Sequence, residues 1–239
     1  LGFTPWLRHQ EFQKQFALIM GQKNQLWWDL PALDTLYLNK EIYDIPDNKF
    51  HNIVEELSKL LEVKDLLKIQ VKKLSLGQRM KCELIAALVH SPKVLFLDEP
   101  TIGLDVIMQK KLREFIREYN KSYQATIILT SHYMGDVEEL CERVIVVNQG
   151  KIIFDGKLSA LIKRYAPYKI ITVTLEENID PKRLDRSLEI NSFIYPRLVL
   201  KVKNENVNDA ASKILKNFKT RDLTIEDVNI EDVIRRVYE

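Results

Sequence analysis

The chain has 239 residues, 46% of them hydrophobic and 29% charged, with a formal net charge of +2. That length supports one domain of good size plus a small second one, and the composition is that of a globular protein whose core needs no staples. The near-neutral balance gives no pull toward nucleic acid or an anionic membrane, and there is no apolar run of the roughly 18 residues that would suggest a bilayer span.

The two cysteines, Cys82 and Cys141, lie far apart and match no zinc or redox spacing. Two buried thiols in a reduced, cytosolic setting are expected. No signal peptide is visible, and the chain opens on Leu1 rather than Met.

In chain order, residues 15–20 read as a buried strand ending at Gly21-Gln22. Residues 33–43 read as a helix, broken by Ile45-Pro46-Asp47. Apolar residues recur at helical spacing over 48–61, and a further helix is expected from Ser75 to about His90. Val94-Leu95-Phe96-Leu97 is short and wholly apolar, as a strand buried on both faces should be. A helix over 107–119, a second buried strand over 125–130 and a short helix over 135–141 follow. Residues 144–147 and 151–154 flank Asn148-Gln149-Gly150, a hairpin signature.

Alternation of strands and helices predicts a mainly parallel sheet with helices on its faces. The expected first domain spans 1–165, with a helical subdomain over about 31–90. Pro167 marks a change of character. Beyond it the pattern predicts strands at 169–175, 193–202 (interrupted by Pro196) and 223–225, with helices at 181–188, 207–218 and 230–238. Residues 166–239 thus read as a small α+β appendage.

The chemistry-bearing residues sit at strand ends and helix starts. Asp98 and Glu99 emerge at the C-terminal end of a strand, where open α/β sheets bind ligands. One carboxylate suits Mg²⁺, a hard cation, and the other suits an attacking water. Ser75 and Gln78 have capping-box spacing, and Gly77 allows close backbone approach. A helix N-terminus there suits phosphate. Asp105 precedes a helix, His132 follows a strand in Thr130-Ser131-His132, and Gln22 follows another. Each has a plainer reading: an acidic turn, a helix cap, a structural histidine, a loop glutamine.

Taken in order, Leu74-Ser75-Leu76-Gly77-Gln78, the 94–100 segment, Thr101-Ile102-Gly103-Leu104-Asp105 and Ser131-His132 resemble the nucleotide-binding subunits of ABC transporters. They resemble, respectively, the signature, Walker B, D-loop and switch histidine of that family, and 18–22 resembles its Q-loop. The likeness covers roughly residues 1–165. It implies a P-loop NTPase-like α/β fold and ATP with Mg²⁺ as cofactors. Two subunits would sandwich ATP head to tail, as a homodimer, and drive a separate membrane permease from the cytoplasmic face. By motif, Ser75, Gly77 and Gln78 would touch the γ-phosphate held by the partner subunit. Asp98 would position Mg²⁺, Glu99 would polarise the attacking water and His132 would contact the γ-phosphate. Gln22 would sense phosphate and Mg²⁺, and Asp105 would communicate across the dimer.

Leu76 replaces the commoner signature glycine, a variant at home in the exporter branch that works with ABC-2-type permeases. Trp27 and Trp28 beside the Q-loop either pack in the core or line the groove where a permease docks.

None of the seven glycines forms a Gly-x-x-x-x-Gly-Lys-Ser/Thr phosphate loop. The resemblance therefore implies that this Walker A loop, its feeding strand and an adenine-stacking aromatic belong before Leu1. The 239 residues alone are expected to be inactive toward ATP and prone to aggregate. Two other readings remain: a soluble ABC ATPase acting on ribosomes or DNA, and a degenerate cassette serving as an interaction module. The single signature and the lack of a heptad run argue against the first, and the intact Asp98, Glu99 and His132 against the second.

Overall fold

The computed structural model describes residues 1–21, 23–180 and 188–238. Gln22, and all but the last residue of the helix expected over 181–188, lie outside the described residues. The chain divides into two compact units, Leu1–Leu140 and Cys141–Glu239.

The first unit is built on a three-stranded parallel sheet in the order β1 (Phe16–Met20), β2 (Val94–Asp98), β3 (Thr126–Thr130). Around it stand α1 (Gln10–Gln13), α2 (Ala32–Ile42), α3 (Asp47–Leu60), α4 (Leu76–Leu88), α5 (Val106–Tyr123) and α6 (Met134–Leu140). α4 packs on β1, α2 and α3. Ile19, Leu36, Phe50, Leu57, Leu84, Leu95, Leu97 and Tyr119 are buried in one cluster. Full burial of an aliphatic or Phe side chain stabilises by about 1.5–3 kcal/mol each.

Strand alternation decides how the sheet meets that core. The register pairs Leu18 with Phe96 and Phe96 with Ile128. These three form a row on the face opposite Ile19 and Leu97, and they are 43%, 37% and 50% exposed. One face is packed, and within these 239 residues the other carries an uncovered apolar row. Trp27 and Trp28 are also exposed and do not pack in the core.

His90 follows α4 and is largely buried. Its ring stacks on Tyr43 at 3.9 Å, its Nε2 lies 3.3 Å from the Phe16 carbonyl, and its Nδ1 is buried without a partner. Burial holds the imidazole below its ordinary value of 6.5. The folded state therefore binds the proton less readily than the unfolded chain. Its stability is whole above the unfolded value and falls as pH drops through it. Urea midpoints at about pH 7.5 and 5.5 should show a smaller acid loss in His90→Phe than in the wild type. An equal loss in both would remove His90 as the cause.

The second unit opens with the hairpin β4 (Arg143–Asn148) and β5 (Lys151–Lys157), followed by α7 (Leu158–Tyr165). Gln149 and Gly150 have φ of 47° and 73°, as the hairpin signature requires. A four-stranded antiparallel sheet follows, ordered β7 (Glu189–Ile194), β8 (Arg197–Lys203), β6 (Tyr168–Leu175), β9 (Thr220–Asp227). α8 (Val207–Asn217) covers one face with Val207, Ala210 and Ile214, and α9 (Ile230–Tyr238) ends the unit.

The single interrupted strand expected over 193–202 is instead two strands of a hairpin, turned at Tyr195-Pro196. Proline removes a ladder donor and favours the turn over a continued strand. The division between units also falls earlier than residue 165. The hairpin and α7 share an apolar cluster with Tyr168, Val228 and Val233, so they pack with the appendage. Cys82 is buried as expected, but Cys141 is only half-buried.

Candidate functional site

Parallel, in-register strands end together, and that is what assembles the site. Met20 pairs with Asp98, and Asp98 with Thr130, so the C-terminal ends of all three strands form one edge. Thr130 Oγ1 donates to Asp98 Oδ1 at 2.6 Å. Glu99 turns the chain with a φ of 49°, unusual for a residue with a side chain. Its N–H donates to the Thr130 carbonyl at 3.0 Å and lies 3.2 Å from Thr130 Oγ1. The Glu99 carboxylate, mostly buried, stands 2.8 Å from Nε2 of the exposed His132. Adjacency of β2 and β3 thus brings Asp98, Glu99 and His132 to one place.

Gly21 closes the edge. Its N–H donates to the Asp98 carbonyl at 2.9 Å, and a Cβ there would lie 2.1 Å from the Glu99 carbonyl oxygen. Gln22, next in sequence, is outside the described residues. Gln25 follows it, and its N–H donates to the buried Glu83 carboxylate of α4 at 3.2 Å. Burial holds that carboxyl above the ordinary range.

A second group forms at two helix starts. Ser75 caps α4: its Oγ accepts from the Gln78 N–H at 3.3 Å, while Gln78 Oε1 accepts from the Ser75 N–H at 2.9 Å. The capping box is reciprocal. It engages the side-chain oxygen of Gln78. Asp105 caps α5, accepting from the Met108 N–H at 2.9 Å. A Cβ at Gly77 would lie 2.9 Å from Met108 Cε, so glycine there lets α4 and α5 approach. Leu76 packs over Gly103, whose φ is 73°. Ser75, Gly77, Gln78 and Asp105 line one cavity of about 460 Å³. The two groups are separate: one edge carries carboxylates and histidine, the other presents helix N-termini.

Among the described residues no cluster of three or more His, Cys, Asp or Glu is placed to hold a metal ion. One oxygen of Asp98 is engaged by Thr130. A hard cation at this edge would take Asp98 as a protein ligand, directly or through water, and draw its other ligands from phosphate and water oxygens.

One group at this edge was missed by motif reading. Asp136 is completely buried and ion-paired to Arg113 at 3.0 Å. Its sequence signal is slight, an acid in the first turn of the helix that follows His132.

The family description "AAA domain, putative AbiEii toxin, Type IV TA system" fits residues 17–134, and "EvrA-like ABC transporter, C-terminal domain" fits 167–226. A solved "ATP binding subunit of ABC transporter" superposes with a TM-score of 0.61 at 23% identity, covering 68% of this chain and 67% of that one. The cbiO1 protein of Clostridium perfringens gives 0.56 at 24%, covering 64% of each chain. The first unit therefore has the P-loop NTPase-like α/β fold of ABC ATPase domains.

Sequence relatives go further. The ABC transporter ATP-binding protein NatA of Bacillus subtilis is 31% identical over 160 residues, 67% of this chain and 65% of its own length. The linearmycin resistance ATP-binding protein LnrL of the same species is 30% identical over 162 residues, 68% and 52% respectively. ABC transporter G family member 20 of Dictyostelium discoideum is 35% identical over 156 residues, 65% of this chain and 20% of that protein. The chain is a homologue of the ATP-binding proteins of ABC transporters. It spans less than two thirds of the length of each of these three relatives.

Proposed function

We propose that the chain works as the ATP-hydrolysing motor of an ABC-type exporter, paired with a second ATPase subunit, most simply its own copy. It would drive a separate ABC-2-type permease from the cytoplasmic face of the membrane. The observation that carries this is the meeting of Asp98, Glu99 and His132 at the C-terminal sheet edge, in a chain that also presents a capped, glycine-bearing signature helix. No described helix is long and apolar enough to cross a membrane, and the proposal assigns the transport path to a separate permease.

In this reading Glu99 accepts the proton of a water as its oxygen attacks the γ-phosphorus. The bond to the bridging oxygen breaks, leaving ADP and phosphate. His132 donates to a γ-phosphate oxygen, and Asp98 anchors Mg²⁺, which neutralises phosphate charge when bound. Gln22 would sense that phosphate. Ser75, Gly77 and Gln78 present N–H and hydroxyl donors to the nucleotide of the partner subunit, and Asp105 carries the signal across the dimer. Nucleotide closes the pair and hydrolysis releases it, a ligand-biased hinge motion. The name of one relative, a linearmycin resistance ATP-binding protein, is compatible with an exporter.

These 239 residues contain no phosphate loop, so by themselves they should neither grip ATP tightly nor turn it over. The test is to express the full-length gene product at its natural level and isolate it from membranes. Mg²⁺-ATP turnover that co-purifies with an integral membrane protein supports the proposal. Turnover that follows ribosomes or stays soluble without a membrane partner overturns the exporter reading.

A further inference from the structure

Among the described residues, Asp136 is a fully buried carboxylate at the candidate edge that the proposed chemistry leaves unused, and its bonds are specific. Oδ2 accepts from Thr101 Oγ1 at 2.6 Å and from Ser131 Oγ at 2.7 Å. Oδ1 accepts from Arg113 Nη1 at 3.0 Å. Arg113 Nε also lies 2.9 Å from Glu139 Oε1 in ion-pair rather than hydrogen-bond geometry. The exposure of Asp136 is 0%, so its charge is met wholly by these donors.

What the donors share is their position in the chain. Thr101 stands two residues after Glu99, and Ser131 stands immediately before His132. Ser131 Oγ in addition accepts from the Tyr133 N–H at 3.0 Å, closing a turn around His132. Two segments that diverge from β2 and β3 are thus returned to a single oxygen. Glu99 needs such fixing because its positive φ persists only where its surroundings determine it. Thr130 holds it on one side and the Thr101–Asp136 bond on the other. Arg113 makes the anchor rigid by joining it to α5.

We infer that Asp136 is a positioning residue, one that pins Thr101 and Ser131 to a common point and thereby sets the 2.8 Å approach of His132 to Glu99. This rests on the ATPase reading above. Asp136 is fully buried and is assigned no contact with phosphate or the attacking water. It acts by keeping a base and a phosphate ligand in the geometry that hydrolysis requires.

The test uses two readouts on the intact protein. The first is steady-state Mg²⁺-ATP turnover of Thr101→Val, Ser131→Ala and Asp136→Asn. Thr101→Val is nearly isosteric and removes only the hydroxyl. It is expected to lower kcat by roughly tenfold to a hundredfold, with KM within about twofold. Thr101→Ser, which restores a hydroxyl, should recover most of that loss. The second readout is hydrogen exchange. Thr101→Val and Ser131→Ala should raise deuterium uptake in peptides covering 99–104 and 130–134 and leave the β1 and α4 peptides unchanged.

Wild-type kcat in both hydroxyl-deletion variants would overturn the inference. So would a loss expressed only in KM, or Thr101→Ser behaving like Thr101→Val. A uniform rise in exchange across the first unit would also overturn it, because that reports a stabilising contact and no more. Asp136→Asn failing to fold changes nothing, since the two hydroxyl variants leave the buried charge paired with Arg113. If the wild type shows no Glu99-dependent turnover, the ATPase reading falls and the exchange readout decides alone. Local opening confined to the two segments then upholds the tie through Asp136, and its absence overturns it.

Discussion

Glu99→Gln in the intact protein is expected to lower ATP turnover by about two to four orders of magnitude, the usual contribution of a general base. The substitution is chosen because almost nothing else changes. Gln has the size of Glu and the same backbone preferences, so the positive φ at this position carries no new strain. The backbone is held by its N–H to the Thr130 carbonyl, not by the side chain. Thermal stability should therefore match the wild type, and nucleotide binding should persist because phosphate contacts come from other residues. The function removed under the proposal is acceptance of a proton from water, which an amide cannot provide. A variant that binds Mg²⁺-ATP without turning it over is the expected behaviour. Turnover within about threefold of wild type would mean that water is activated elsewhere, and the role proposed for Glu99 would fall.

Gly21→Ala should be the most damaging small substitution in the first unit. The new methyl would meet the Glu99 carbonyl oxygen at 2.1 Å and its carbonyl carbon at 3.0 Å. Those are backbone atoms at the last rung between β1 and β2, where the Gly21 N–H donates to the Asp98 carbonyl at 2.9 Å. No flexible side chain can yield, so the strand ends must separate. Overpacking costs about 1–3 kcal/mol even where side chains can adjust, so about 3 kcal/mol or more is expected here. For a unit of this size that corresponds to a fall in Tm of roughly 6–12 °C. Separation of the strand ends also displaces Glu99, so turnover should fall more than the folded fraction does. Gly150→Ala is the control, because a Cβ there meets nothing within 4 Å and only the φ of 73° is strained. It should cost about 1–2 kcal/mol and leave turnover unchanged. A Gly21→Ala protein as stable as that control would show that the strand ends do not approach as closely as described.

Local regularities were legible in the amino-acid order alone. Apolar periodicity placed α3, and a contiguous apolar run placed β1, each within a residue of its observed ends, because such patterning acts over a few neighbours. Ser75 and Gln78 announced their capping box, and Asn148-Gln149-Gly150 its turn, for the same reason. The position of Asp98 and Glu99 at a strand end needed only a run of four apolar residues before them.

Tertiary structure decided what depends on residues distant in the chain. That β2 lies between β1 and β3, bringing His132 to Glu99, follows from pairing across sequence gaps that no local pattern encodes. Which face of the sheet is packed is likewise a matter of partners: Ile19 and Leu97 join the core, whereas Leu18, Phe96 and Ile128 are left uncovered within these 239 residues. The grouping of the β4–β5 hairpin with the appendage rests on a cluster shared with Tyr168 and Val233. Asp136 makes the point most sharply. In sequence it is one acid in the first turn of a short helix, and only folding brings Thr101, Arg113 and Ser131 around it. Chemistry carried by adjacent residues can be read from their order, whereas chemistry that depends on convergence exists only once the chain has folded.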